Sequence, residues 1–136
     1  MKIMWPCALA IAGALTWGTG ALAHHSFAAQ YDARKPVEMK GVVTGVDWTN
    51  PHARFYIDVK DATGLVKKWN FELASPNVLV RNGWKRNTLK IGEPVAVTGY
   101  LARMSPADGP QMAIASSVTG SDGRALFASA PQDLAR

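Results

Sequence analysis

One bracket in the sequence limits the fold more than any other: Ser75-Pro76-Asn77 and Gly83 enclose the stretch where a helix is expected, and runs of strand character lie on both sides of it. A serine hydroxyl can accept from the free amide donors of a first helical turn, and proline at the first helical position has no amide hydrogen to leave unpaired. Gly83 supplies the matching stop, so a helix of about two turns is expected from Pro76 to Asn82.

Three strand runs precede this helix. From Glu38 to Trp48, Val42, Thr44, Val46 and Trp48 share one face while Val37, Met39 and Val43 lie on the other, with Gly41 and Gly45 interrupting. That pattern predicts a long strand with apolar groups on both sides, bent or bulged at its glycines. Thr49-Asn50-Pro51-His52 ends it with turn chemistry. The second run alternates plainly, with Ala53, Phe55, Ile57 and Val59 inward and Arg54, Tyr56, Asp58 and Lys60 outward. Asp61-Ala62-Thr63-Gly64 then turns the chain into a third run whose buried face carries Trp69, Phe71 and Leu73. Two runs follow the helix. Val95, Val97, Gly99 and Leu101 form a fourth strand entered through Pro94, and a loop over Ser105 to Pro110 leads to a fifth from Gln111 to Val118. Asp122-Gly123 can turn the chain once more into a short ribbon ending near Phe127.

Three strands, a short helix and two strands is the order of the OB-fold, a small five-stranded closed Greek-key barrel with its helix between strands 3 and 4. A plain β-sandwich is the alternative, but it does not require a capped helix at this point. The expected organisation is a signal peptide over 1–23, an N-terminal segment over 24–36, the mainly β, OB-like barrel domain over 37–128 and a flexible tail over 129–136.

The leader is expected from Lys2, the only charge before His24, from the apolar run Ile3 to Leu15, and from Ala21-Leu22-Ala23, whose small-x-small form suits signal peptidase. The apolar run falls short of the roughly 20 residues a spanning helix needs, so no stable membrane insertion is expected after cleavage. Cys7 stands near the start of that run, where a lipidated cysteine would not be, and it leaves with the leader. Of the 136 residues 113 then remain, enough for one domain, with neither a disulfide framework nor a thiolate metal site available. With Lys2 gone, 14 basic residues face 10 acidic ones, a balance of +4 scattered along the chain. A nucleic-acid footprint would be a stripe or cluster, so no nucleic-acid partner is expected.

The histidines are the unusual feature. Three occur, and two of them, His24 and His25, stand at the expected mature N-terminus. Cleavage after Ala23 would let His24 offer its α-amine and its imidazole to one ion in a chelate ring. A further imidazole would complete the three-nitrogen, T-shaped set of a histidine brace. His52, in the loop between strands 1 and 2, is the candidate for it, with His25 as the spare ligand. The amine-x-His tripeptide pattern is absent, because Ser26 holds the third position. Nitrogen ligation in a tetragonal geometry favours Cu(II), with zinc as the second metal. The amine titrates near about 7.7 to 8 and imidazole near about 6.5, so binding is expected to weaken as pH falls through that range.

Met104 and Met112 could add thioether contacts to Cu(I), yet methionines more often fill gaps in a core, and they are left out of the site. Trp48, Trp69, Trp84 and Phe55 are expected in the core, and Tyr56 is the aromatic side chain expected to be best exposed. Glu72, between Phe71 and Leu73, is expected on the surface. The chain has no nucleophile elbow, no glycine-rich phosphate loop and no His-Glu-x-x-His helix, so no catalytic residue is assigned.

His24-His25-Ser26-Phe27, Trp48-Thr49-Asn50-Pro51-His52, Trp69-Asn70-Phe71-Glu72-Leu73, Ser75-Pro76-Asn77 and Gly83-Trp84 together resemble a family of small exported bacterial proteins defined only as a domain of unknown function. The resemblance runs from His24 to about Phe127. It implies a periplasmic setting and a compact β-rich domain, and it implies no reaction. The chain departs from the family at Arg54, where an aromatic residue is frequent, which puts a shared stacking role beside His52 in doubt. The function expected is therefore that of a periplasmic, non-catalytic protein binding copper through His24, His25 and His52. The alternative is a metal-free module for an envelope protein, a peptide or a glycan.

Overall fold

The computed structural model describes residues 27–129. A helical turn over 27–30 leads into β1 (Tyr31–Asp47), followed by β2 (Arg54–Lys60), β3 (Val66–Glu72), a helix α1 (Pro76–Arg81), β4 (Pro94–Ala102), β5 (Gln111–Gly120) and β6 (Ala125–Ala128). β1 pairs with both β2 and β4, β2 with β3, and β4 with β5, all antiparallel. A parallel seam between β3 and β5, Trp69↔Gln111 to Glu72↔Ile114, closes the ring. The result is the closed five-stranded OB barrel expected, with one short helix between β3 and β4. β6 is the expected terminal ribbon, paired with the far end of β5.

The inward-facing residues read for β2 and β3 hold, but on β3 the opposite face is buried as well, at Asn70 and Glu72. Ala53, Phe55, Ile57, Phe71 and Leu73 are buried inside the barrel, and Phe55 and Phe71 stack with ring centroids 5.4 Å apart. Burying side chains of this size stabilises the fold by roughly 1.5–3 kcal/mol each. Strand 1 differs from expectation. It begins at Tyr31, and its apolar residues do not serve two faces. Val37, Met39 and Val43 face the core up to a bulge between Val43 and Gly45; the extra residue Thr44 shifts the phase, and Val46 and Trp48 then pack inward. Val42, out of phase, is 42% exposed. One core-facing stripe with a shifted period therefore looks, in the sequence, like two stripes.

The helix forms as its end signals require. The Ser75 hydroxyl accepts from the amide of Val78, Pro76 occupies the first turn, and Gly83 follows with φ of +85°. Leu79 is fully buried beneath it. Trp84, just past the helix, donates its indole N–H to the carbonyl of Leu126 and packs edge-on against Phe127, which ties β6 to the helix end. Gly99 is required by close approach: a Cβ there would lie 2.0 Å from the carbonyl oxygen of Ile114.

Candidate functional site

The hairpin turn between β2 and β3 sets the register in which Arg54 faces Glu72 on the outside of the barrel. The turn itself is held by Asp61, whose carboxylate accepts from the amides of Thr63 and Leu65. His52 precedes β2, in the segment that contains a cis Asn50–Pro51 bond. It is held against β3 because Ala53 exchanges backbone hydrogen bonds with Leu73 and Ala74.

Glu72 divides its carboxylate between two partners: Oε1 lies 2.7 Å from Nδ1 of His52, and Oε2 accepts from Nη2 of Arg54. The Glu72 side chain is 4% exposed, whereas His52 retains a third of its side-chain surface. A buried carboxylate needs such partners, since an ionised group taken out of water without them is strongly disfavoured. Glu72 is thus not the surface residue its place in the strand alternation suggested. The outer face of β3 is covered here, and Tyr31 is part of the cover. Burial of the Tyr31 phenol, reinforced by the nearby charge of Glu72 and opposed by that of Arg54, pushes its pKa well above the usual tyrosine value, so it stays protonated.

The described N-terminal segment packs onto this end. Phe27 stands 5.8 Å from Tyr31 and 6.0 Å, edge-on, from Tyr100, ring centroid to ring centroid. Arg103 fastens the helical turn, its Nε donating to the carbonyl of Ala28 at 2.7 Å and its backbone amide to that of Gln30 at 2.9 Å. Beside it is a concavity of about 230 Å³, lined by Tyr31, Arg54, Arg103, Met104 and Met112 among others. Two guanidinium groups share that space with the two thioethers, which disfavours a cation between the methionines.

Of the three expected ligands, the structure places His52 on Glu72; His24 and His25 lie outside the described residues. Among the described residues no group of three or more His, Cys, Asp or Glu side chains is arranged to hold a metal ion. Strand alternation placed Arg54 and Glu72 on the outward side but missed the burial of Glu72 and its contacts with Arg54 and His52. The loop runs over Asp61 to Leu65, one residue longer than the expected turn, and counting outward from Lys60↔Val66 brings residue 54 opposite residue 72, whereas a turn over Asp61 to Gly64 would have set 54 against 71.

The fold and this outer cluster define a small OB barrel with a buried carboxylate orienting a half-exposed histidine. The chain belongs to the Family of unknown function (DUF6152), whose pattern matches residues 13–111. No curated protein matches it. Among solved structures it is similar to a small single-stranded DNA-binding protein from Streptomyces coelicolor, at 18% identity over 65% of this chain and 94% of that one, with a TM-score of 0.49. It is also similar to the mitochondrial single-stranded DNA-binding protein Rim1 of S. cerevisiae, at 9% identity over 64% of this chain and 92% of that one, with a TM-score of 0.47. A third is the N-terminal domain of PriB from Thermoanaerobacter tencongensis, at 17% identity, 64% and 96% coverage and a TM-score of 0.45. Likeness at these identities speaks to the fold alone. It nevertheless corrects one expectation. The scatter of basic residues was read as ruling out nucleic acid, but the first two of these neighbours are single-stranded DNA-binding proteins by name, so that exclusion does not stand.

Proposed function

We propose that this chain is an exported, non-catalytic protein of the bacterial periplasm that binds a transition metal, copper foremost, with His52 as the ligand borne by the barrel. The observation that carries the reading is the 2.7 Å contact between His52 Nδ1 and the buried Glu72 carboxylate. A carboxylate only accepts, so Nδ1 carries a proton in this contact, and the nitrogen left to offer a lone pair to a metal is Nε2. Metal-binding histidines are commonly oriented in this way, the carboxylate fixing the tautomer and raising the basicity of the ligating nitrogen.

The remaining ligands in this proposal are the amine and imidazole of His24, with His25 in reserve. The attachment of Phe27 beside Tyr31, at the end of the barrel that carries Glu72, supports it. Three residues of extended chain span at most roughly 10 Å, which bounds the distance from Phe27 at which this proposal can use His24. A nitrogen-rich set selects Cu(II), which also heads the divalent affinity series.

The test is a Cu(II) titration read by electron paramagnetic resonance on protein cleaved to a free His24. Two controls accompany it: the same domain with one extra N-terminal residue, and His52→Ala. One-to-one binding with a nitrogen-rich signal, weakened in both controls, supports the brace; binding indifferent to the extra residue and to His52 retires it.

A further inference from the structure

A second region, away from His52, has the makings of a binding site. Two open concavities, of about 690 and 330 Å³, adjoin along Lys68, Trp69 and Pro110, forming one cleft between β3 and the loop before β5. The ring of Tyr56 lines the smaller of the two. That ring lies over Gly45 at the β1 bulge, where an added Cβ would stand 3.3 Å from Tyr56 Cδ2. The ring is thus backed by the sheet at Gly45, and the side chain remains part-exposed at the cleft. Trp69, stacked behind on Phe71, adds an aromatic edge.

The polar lining has both signs and no excess: Lys67 and Lys68 against Asp58 and Asp108. A phosphate backbone wants a run of uncompensated cations, and this cleft has none. Gln111 contributes an amide with both donors and an acceptor. The rim also offers backbone groups, because β5 pairs with β3 only from Trp69 onward, leaving the cleft side of Val66, Lys67 and Lys68 without a partner strand. Three residues of open edge are short of the five or six of an ordinary strand, so they suit scattered hydroxyl groups better than an added peptide strand. A supported aromatic ring flanked by charge-balanced donors and acceptors matches a ligand with apolar ring faces and a hydroxyl periphery.

We infer that this cleft binds a neutral oligosaccharide, stacked on Tyr56 and hydrogen-bonded by Asp58, Lys68, Asp108 and Gln111. The site is independent of the proposed metal ligands, and the test is run with a chelator present so that failure of one reading leaves the other untouched. Isotope-labelled protein is titrated with three neutral hexasaccharides, maltohexaose, cellohexaose and chitohexaose, and separately with a single-stranded oligothymidylate. Saturable amide shifts around Gly45, Tyr56, Trp69 and Gly109 with at least one hexasaccharide are expected, and affinity should hold steady from about 50 to about 500 mM salt, unlike a phosphate-driven contact. Tyr56→Ala should weaken binding by about tenfold, the scale of one lost aromatic contact. Gln111→Ala, at the first pair of the β3–β5 seam and apart from the Tyr56–Gly45 contact, serves as a second variant should Tyr56→Ala disturb the fold. Absence of shifts with all three sugars overturns the inference. So does salt-sensitive binding of the oligothymidylate alone, or sugar binding that neither variant weakens.

Discussion

Glu72 on β3 stands directly across from Arg54 on β2 and binds it through Oε2, while its other oxygen holds His52. The carboxylate is nearly dry, and the arginine is little more than a quarter exposed. That arrangement makes the cluster sensitive to the loss of any one member.

Removal of Glu72 leaves a partly buried guanidinium without its counter-charge. Glu72→Ala is expected to lower unfolding stability by about 3 kcal/mol, in the range found when one partner of a buried ion pair is deleted. Glu72→Gln, which retains hydrogen bonding but not charge, should cost less. Urea unfolding of the two variants beside the parent checks the order.

Tyr31 makes stability depend on alkaline pH. Its pKa is raised in the folded state above the ordinary value of 10.0, so its contribution is complete below that value. Above it the unfolded chain loses the phenolic proton while the folded chain keeps it, and stability falls as pH climbs toward the folded pKa. Denaturation midpoints measured at pH values on either side of 10 should drop less steeply in Tyr31→Phe than in the parent.

The approach of β4 to β5 at Gly99 tolerates no side chain. A methyl group there meets backbone at 2.0 Å, which cannot swing aside as a flexible side chain could. Gly99→Ala is expected to destabilise by about 2 kcal/mol or more. Leu79→Ala, which empties a fully buried site under the helix, should cost about 2–5 kcal/mol. Thermal and denaturant unfolding read both.

Arg103→Ala removes one of the two described bonds that fasten the turn over 27–30 to the end of β4. Faster amide hydrogen exchange in that turn is expected, with little change in the barrel strands. Equal acceleration throughout would mean that the clamp supports the whole fold.

What the sequence disclosed and what it hid divide along a physical line. The helix limits at Ser75 and Gly83, the alternation of β2 and the inward face of β3 follow from contacts a few residues apart, and the structure agrees with them. The phase of β1 did not follow, because a single extra residue at Thr44 moves every later side chain to the other face. The start of β1 was hidden as well: Tyr31 and Asp32 are buried, but the exposed residues from Ala33 to Pro36 read as loop. The burial of Glu72 depends on Tyr31, whose position against β3 no local pattern encodes. As for the histidines, His52 is oriented by a residue 20 places along the chain, while His24 and His25 fall outside the described residues.

The parallel seam of β3 with β5 joins residues 42 positions apart, and Glu72↔Ile114 is its last pair. Contacts this distant in sequence, like the β1–β4 pairs that lie 52 to 71 positions apart, carry a loop-closure cost that the local hairpins do not and tend to form late. A chain delivered unfolded across a membrane would therefore have its histidines long before it had a dry carboxylate to aim one of them. Any affinity at His52 that depends on Glu72 would then belong to the finished barrel and not to the nascent chain.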